Sequence, residues 1–153
     1  MAVKKKYFFA GIGLITLATL AILMNKYINP LKGIITARFG NRINPVTGQP
    51  EFHNGVDVSA GYGTTVRSPA NGKVLSVYYN DVGGNQVVIQ HSGIITGYAH
   101  LSRMTVIQGQ NVIQGQKVAE VGTSGQTTGA HLHFTVQRNS AFIDPLELFT
   151  FNS

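Results

Sequence analysis

From residue 33 onward, the chain alternates apolar and polar side chains in short runs that are separated by glycine, proline and asparagine. This period of two is typical of β-strands that bury one face, because successive side chains point to opposite sides of a strand. The clearest runs are residues 33–39, 73–79, 86–91, 94–100, 117–121 and 129–136. Helical periodicity is almost absent here, apart from a short turn or helix expected after Asp144. The pattern therefore predicts an all-β fold, a sandwich or open barrel.

The N-terminal part of the chain has a different pattern. Residues 7–24 carry no charged side chain, and as a helix they would span roughly 27 Å, enough for the core of a bilayer. Lysines precede and follow this segment, and the larger group before it favours a cytoplasmic N-terminus. We predict a transmembrane helix over residues 7–24, preceded by a basic tail at 1–6 and followed by a linker at 25–32.

Two alternatives to a membrane anchor are open. The segment could be a cleaved signal peptide, since Thr19-Leu20-Ala21 is an acceptable cleavage site, although apolar residues continue beyond it. It could also be a buried helix of a soluble protein. The anchor and the signal peptide both export residues 33–153 to the periplasmic or extracellular side. A secreted or virion-associated protein is the alternative to a single-pass membrane protein.

The formal charge of +6 is concentrated near the N-terminus. Five of the twelve Lys and Arg residues lie in the first 32 residues, which contain no acid, and the rest of the chain is nearly neutral. No basic patch with interleaved aromatic residues occurs, so the charge does not indicate nucleic-acid binding. The chain has no cysteine, which excludes disulfides and thiolate metal ligands. Any metal must be held by histidine and carboxylate.

Two histidines share one face of the predicted strand at residues 129–136. His131 and His133 alternate with Leu132 and Phe134, so both imidazoles point away from the apolar side. Lying about 6–7 Å apart along a strand, they can share a site in which one binds a metal and the other faces the reacting bond. Two polar rings on an ordinary strand surface are the alternative interpretation.

A second motif combines His53 and Asp57, with Gly55 between them. On one continuous strand the two side chains would share a face, and the glycine would leave space above the backbone for a cation. A half-buried strand with an incidental aspartate is the alternative. Together with His133 from another strand, the motif would supply three nitrogen and oxygen ligands and leave a fourth position open, which suits catalytic zinc. The His-Glu-x-x-His motif is absent, so a general base would have to be a histidine.

Three ordered motifs resemble the lysostaphin-type zinc endopeptidases of bacterial cell walls. They are His-x-Gly-x-Asp at 53–57, Tyr-Ala-His-Leu at 98–101 and Gly-x-His-Leu-His-Phe at 129–134. The resemblance extends over roughly residues 34–148 and includes Ala-Arg-Phe-Gly-x-Arg at 37–42. It implies an antiparallel β fold of the duplicated hybrid motif type.

The same resemblance implies a role for each of five residues. It implies one Zn²⁺ bound by His53, Asp57 and His133, with His100 and His131 assisting catalysis. It implies that the substrate is a peptide crosslink or stem peptide of peptidoglycan. All five residues are present in this sequence, unlike in degenerate relatives that have lost ligands and activate other hydrolases. We therefore predict a zinc endopeptidase that remodels or lyses the cell wall, of cellular or phage origin.

Three further residues near the motifs have less specific interpretations. His91 matches no catalytic position, and we interpret it as structural or exposed. Glu51 is close to His53 in sequence, and we interpret it as a loop carboxylate rather than a ligand. Tyr98 either contacts substrate near His100 or packs within its strand.

Two other functions compete with the enzyme. A non-catalytic membrane-tethered regulator or wall-binding module could use the same fold, but the complete set of ligands argues against it. A phosphocarrier or carrier module of related β topology is a third hypothesis. The predicted export segment argues against the carrier, because phosphorelay partners are cytoplasmic.

Overall fold

The computed structural model describes residues 27–151. The strands in this part of the chain are β1 (Ile34–Ala37), β2 (Gly40–Ile43), β3 (Pro50–His53), β4 (Gly55–Ser59), β5 (Thr65–Arg67), β6 (Gly72–Asn80), β7 (Gly84–His91), β8 (Ile95–Met104), β9 (Asn111–Val112), β10 (Lys117–Val121), β11 (His131–Arg138) and β12 (Ala141–Ile143). A 3-10 helix, Pro145–Glu147, follows them, and the Asp144 carboxylate caps it by accepting a hydrogen bond from the Leu146 N–H. The all-β prediction is confirmed.

Ten of these strands form one antiparallel sheet. Its main path runs β1-β4-β11-β8-β7-β6-β9, and β5, β10 and β12 attach to it at the sides. The strands β2 and β3 form a separate two-stranded hairpin. Within the main sheet, β11 lies between β4 and β8, so three sequence motifs that are far apart in the chain become neighbours. The more detailed prediction of the architecture, a sandwich or open barrel built from a duplicated motif, stays a prediction.

The apolar face of β11 packs into the core. Leu132, Phe134 and Val136 are fully buried, whereas His131 and His133 on the opposite face are partly buried. Burying one Leu or Phe side chain stabilises the fold by about 1.5–3 kcal/mol. A slip of one residue in β11 would exchange the two faces and lose this stabilisation. The apolar residues therefore determine which way the two histidines point.

The prediction that His53 and Asp57 lie on one continuous strand is wrong. β3 ends at His53 and β4 begins at Gly55, with Asn54 between them. The break exists because β3 pairs with β2 in the hairpin, whereas β4 pairs with β1 and β11 in the main sheet. Gly55 also has a different role from the predicted one. A Cβ atom at this position would collide with the Phe134 carbonyl, so the glycine allows close approach of β4 to β11.

Part of the predicted linker at residues 25–32 packs on the domain. The Leu31 side chain is buried in the core. The Tyr27 ring lies 5.8 Å from the Phe149 ring. Residues 27–31 therefore contact the domain and are not an extended spacer.

The predicted transmembrane helix at residues 7–24 and the basic tail at 1–6 lie outside the described residues. Between residues 27 and 151, no helix has the length and apolar character needed to cross a membrane. The anchor and its alternatives therefore stay predictions.

Candidate active site

Three ligand-type side chains meet where the hairpin joins the main sheet: His53 at the end of β3, Asp57 in β4, and His133 opposite Asp57 in β11. His53 Nε2 lies 3.1 Å from Asp57 Oδ1 and 3.0 Å from His133 Nδ1. His133 Nδ1 lies 2.8 Å from Asp57 Oδ1. We call these three atoms the ligand triangle. Within the described part of the chain, it is the one group of His, Cys, Asp and Glu side chains arranged to hold a metal ion.

The second nitrogen of each histidine in the triangle is held by an oxygen acceptor. His53 Nδ1–H donates to the Arg38 carbonyl at 2.8 Å, and His133 Nε2–H donates to Asn54 Oδ1 at 3.0 Å. Because a neutral imidazole carries one N–H, this arrangement leaves a lone pair on each nitrogen of the triangle. Acceptors of this kind fix the tautomer and the ring orientation of metal-binding histidines.

Asp57 contributes an ionised carboxylate to the triangle. Burial acts to raise the pKa of Asp57, but the adjacent imidazoles of His133 and His53 outweigh burial and bring the pKa well below its usual range. The other oxygen, Oδ2, accepts a hydrogen bond from Arg42 Nη1 at 2.9 Å. Burial lowers the pKa of His133, which keeps this ring neutral and able to bind a metal near neutral pH.

The donor set and its spacing fit zinc. Two imidazole nitrogens and one carboxylate oxygen are the ligands of several catalytic zinc sites. Tetrahedral ligands about 2.0–2.1 Å from zinc lie about 3.3 Å from one another, and the sides of the triangle, 2.8 to 3.1 Å, are close to that value. Three protein ligands leave the fourth position for water or substrate.

His131 lies beside the ligand triangle on the same face of β11. Its Nε2 is 3.8 Å from Asp57 Oδ1, and its Nδ1–H donates to the Gly129 carbonyl at 2.9 Å. The lone pair of His131 is therefore on Nε2, which faces the centre without being part of the triangle. The prediction that His131 and His133 share one face is confirmed.

His100 reaches the same site from β8, the other neighbour of β11. Its ring centre is 4.7 Å from that of His131 and 6.2 Å from that of His133. The Nδ1–H of His100 donates to the Ser124 carbonyl at 2.8 Å, which leaves the lone pair on Nε2. Burial lowers the pKa of His100. Both His100 and His131 therefore carry an unprotonated Nε2 beside the triangle when their rings are neutral.

The backbone at His100 departs from regular strand geometry. Its φ of +60° is rare for a residue other than glycine, and the pairing of β8 with β7 and with β10 changes register close to it. Tyr98 and Leu101 are both buried in the core although they are three residues apart. The extra residue between them turns His100 toward the site instead of the core. Such strain is found where the surrounding structure enforces it, often at functional sites.

Tyr98 is packed in the core rather than exposed in the site. Its hydroxyl lies 2.8 Å from Thr96 Oγ1, and its ring lies 5.5 Å from the Phe134 ring. Burial raises the pKa of the Tyr98 phenol. Of the two predicted alternatives, the structure thus shows the packed tyrosine. The bulge at His100 places the side chains of Tyr98 and His100 on different faces of the strand. His91 is buried too, with Nε2 2.9 Å from Thr96 Oγ1, which agrees with a structural role.

Arg42, Glu51 and Asn54 also contact the site, a role that the sequence motifs did not predict. Glu51 was interpreted as a loop carboxylate, but it lies in β3, outside the ligand triangle, and accepts a hydrogen bond from Arg42 Nε at 2.6 Å. The available signal was the period of two, which puts Glu51 and His53 on one strand face. Pairing of β2 with β3 brings Arg42 opposite Glu51, and the turn residues Asn44-Pro45 and Thr47-Gly48 between the strands were a signal for this hairpin.

Two cavities flank the ligand triangle and share part of their lining. One, of about 350 Å³, includes His131, and the other, of about 290 Å³, includes His100. Three residues line both cavities: Asn44, Val46 and Gln126. The shared lining makes one cleft across the site, which suits an extended substrate bound on both sides of the reacting bond.

A three-ligand zinc centre with two further histidines in an open cleft is the arrangement of a metal-dependent hydrolase. Comparison with known families agrees with this class. Peptidase family M23 matches residues 51–145, and the chain belongs to this family.

One curated relative is the peptidoglycan DD-endopeptidase ShyB of Vibrio cholerae. The chain is 40% identical to it over 115 residues, which cover 74% of this chain and 27% of ShyB. The chain therefore spans only about a quarter of the length of this relative.

Solved structures with the same fold include two peptidases. A zinc-containing peptidase from Vibrio cholerae has a TM-score of 0.70 and 37% identity, covering 78% of this chain and 39% of that chain. The catalytic domain of the antimicrobial peptidase lysostaphin from Staphylococcus simulans has a TM-score of 0.69 and 30% identity, covering 75% and 90%. The resemblance to lysostaphin-type peptidases is confirmed. The family, the zinc-containing structure and the ligand triangle agree on zinc as the cofactor.

We expect His133→Ala to abolish zinc binding and His131→Ala to preserve it. His133 supplies an atom of the ligand triangle, whereas His131 Nε2 is 3.8 Å from Asp57 Oδ1 and lies outside it. The two variants are matched, since they make the same change on the same face of β11. Zinc content per full-length chain would be measured by elemental analysis, with circular dichroism to verify folding. Zinc retained in His133→Ala and lost from His131→Ala would reverse the assignment.

Proposed function

We propose that the protein is a zinc-dependent endopeptidase that hydrolyses peptide crosslinks or stem peptides of bacterial peptidoglycan. The observation that carries this proposal is the ligand triangle with His100 and His131 beside it in one cleft. The substrate class is supported by the names of the relatives, a peptidoglycan DD-endopeptidase and lysostaphin. The intact set of five residues argues against a non-catalytic regulator or wall-binding module, which would need none of them for chemistry.

The residues of the chain divide the work of hydrolysis between metal binding and proton transfer. Zinc held by His53, Asp57 and His133 would supply Lewis-acid chemistry for the scissile carbonyl and the attacking water. His131 or His100 accepts the proton of the attacking water on its free Nε2 and then donates it to the leaving nitrogen. The resulting imidazolium also stabilises the developing oxyanion.

The carbonyls of Gly129 and Ser124 keep the two proton-transfer histidines in the tautomer that this role requires. The Gly129 carbonyl accepts the Nδ1–H of His131, and the Ser124 carbonyl accepts the Nδ1–H of His100. The free lone pair is thereby held on Nε2 in both rings. A ring that exchanged its tautomer would present an N–H in place of a base.

We predict that His131→Ala and His100→Ala lose about 10²–10⁴-fold in turnover while retaining zinc, the usual contribution of a general acid–base residue. Turnover would be measured as release of soluble muropeptides from purified peptidoglycan. His91→Gln, which changes a buried histidine away from the cleft, is the control and should keep most of the activity. Full activity in both His131→Ala and His100→Ala would mean that the base lies elsewhere. A wild-type protein that binds zinc but releases nothing would favour the regulator or wall-binding module.

We predict that the bonds cut are amide bonds and not glycosidic bonds. Most glycosidases place a pair of carboxylates across the scissile bond. Near this site, the described carboxylates are Asp57 and Glu51, and both are engaged by Arg42. Digested peptidoglycan should gain free amines without gaining reducing sugar ends, as read by amine labelling and mass spectrometry of the fragments. New reducing ends without new amines would refute the endopeptidase.

We also propose that residues 7–24 anchor the protein in a membrane with the peptidase domain on the periplasmic or extracellular side. The lack of charge in this segment supports the anchor. Since the Tyr27 ring already packs on the domain, few residues are left as a spacer, and the cleft would operate close to the bilayer.

The anchor predicts that carbonate-washed membranes retain the full-length chain. A transmembrane helix resists extraction because its apolar residues would be exposed to water outside the bilayer. The measurement is immunodetection in the membrane and soluble fractions, with the N-terminus of each product determined by mass spectrometry. A soluble product that begins near Ile22 would show a cleaved signal peptide instead.

A further inference from the structure

One face of the β2–β3 hairpin carries polar side chains toward the metal site. In the register of the hairpin, Arg42 is opposite Glu51 and Gly40 is opposite His53. Glu51 and His53 are two residues apart in β3, so their side chains share a face. Gly40 has a φ of +114°, a conformation that glycine adopts without strain. The hairpin thus presents a metal-ligand histidine together with an arginine and its carboxylate partner.

Arg42 connects two carboxylates through separate nitrogens. Its Nε donates to Glu51 Oε1 at 2.6 Å, and its Nη1 donates to Asp57 Oδ2 at 2.9 Å. The second oxygen of Glu51 accepts a hydrogen bond from Asn44 Nδ2 at 2.6 Å. The side chains of Arg42, Glu51 and Asp57 are 23%, 28% and 13% exposed, so water screens these contacts less than those of a surface ion pair. Because the guanidinium is planar and held at two points, its direction of approach to Asp57 is fixed.

The contact with Arg42 determines which oxygen of Asp57 is available to a metal. With Oδ2 held, Oδ1 is the oxygen that lies 3.1 Å from His53 Nε2 and 2.8 Å from His133 Nδ1. A carboxylate that could rotate freely would be able to offer both oxygens to one ion. It would then fill the position that a catalytic zinc site keeps open for water and substrate.

We propose that Arg42 is a positioning residue of the metal centre. Locked by Glu51 and Asn44, it holds Asp57 as a ligand through one oxygen, strengthens zinc binding and keeps the fourth coordination position open. Partners that orient metal ligands in this way typically contribute about 10–100-fold to metal affinity. The proposal rests on the proposed function only for its consequence in hydrolysis, because metal binding itself involves no substrate.

The test compares Arg42→Gln, Arg42→Lys and Arg67→Gln in the full-length protein. Arg42→Gln removes the charge and the fork of donors, whereas Arg42→Lys keeps the charge but cannot bridge two carboxylates in a fixed geometry. Arg67→Gln is the matched control. It removes the same charge from β5, where Arg67 Nη1 donates to the Gly115 carbonyl, at a position that does not contact the ligand triangle.

Two measurements report on the metal centre without substrate. Competition with a chromophoric chelator gives the dissociation constant of zinc. The visible spectrum of the cobalt-substituted protein reports the coordination number, because four-coordinate cobalt absorbs more strongly than five-coordinate cobalt. Both measurements are independent of whether the protein cuts peptidoglycan, so failure of this proposal is distinguishable from failure of the proposed function.

We expect both Arg42 variants to bind zinc about 10–100-fold more weakly than wild type and their cobalt spectra to weaken, with Arg67→Gln unchanged. Wild-type zinc affinity and cobalt spectrum in Arg42→Lys would overturn the proposal, since charge alone would then be sufficient. Wild-type behaviour in Arg42→Gln would remove Arg42 from the metal centre altogether.

Glu51→Gln is a second test that leaves Arg42 in place and applies even if the Arg42 variants do not fold. It removes the charged partner that locks the guanidinium and should weaken zinc binding in the same direction, by less than the loss of Arg42. The cobalt spectrum should shift toward that of the five-coordinate ion. An unchanged affinity together with an unchanged spectrum would contradict the locking role of Glu51.

Discussion

The carboxylate of Asp57 is the constraint around which this site is built. A charged group held mostly out of water is costly unless hydrogen bonds or opposite charges compensate it. Here Arg42 on the hairpin donates a hydrogen bond to Oδ2, and Oδ1 faces His53 and His133, where a zinc ion would add its positive charge. The arrangement that makes the buried charge tolerable is therefore also the one that assembles the zinc ligands. The two-stranded hairpin is therefore joined to the main sheet through the metal site itself.

The strand β11 connects the core with the chemistry. Its apolar side chains are buried by the hydrophobic effect, and this burial fixes the strand in rotation and register. His131 and His133 on the other face are then held at the spacing of alternate residues in a strand. The neighbours β4 and β8 bring Asp57 and His100 to the same place. Sheet pairing thus places the site residues in a preorganised arrangement, which is what stabilisation of developing charge requires.

Two departures from regular strand geometry give the site its shape. The break at Asn54 lets His53 belong to the hairpin while Asp57 belongs to the main sheet, so the two ligands converge from different elements. The bulge at His100 turns a ring that would face the core toward the cleft. A regular sheet offers a side chain at every second position on each face. The two irregularities allow His53 and His100 to approach the site from directions that regular strands do not offer.

The sequence by itself determined the all-β class, the shared face of His131 and His133, and the five site residues whose motifs resemble those of zinc peptidases. Alternation of apolar and polar side chains is a local property and can be read from neighbouring positions. Strand pairing joins residues far apart in the chain, and only the tertiary structure decided it. The pairing of β11 with β4 and β8 brought Asp57 and His100 beside His133, and the bulge in β8 turned His100 toward the cleft. The first depends on contacts between strands distant in the chain, and the second on how the neighbouring strands pair with β8, so neither could be read from the local pattern.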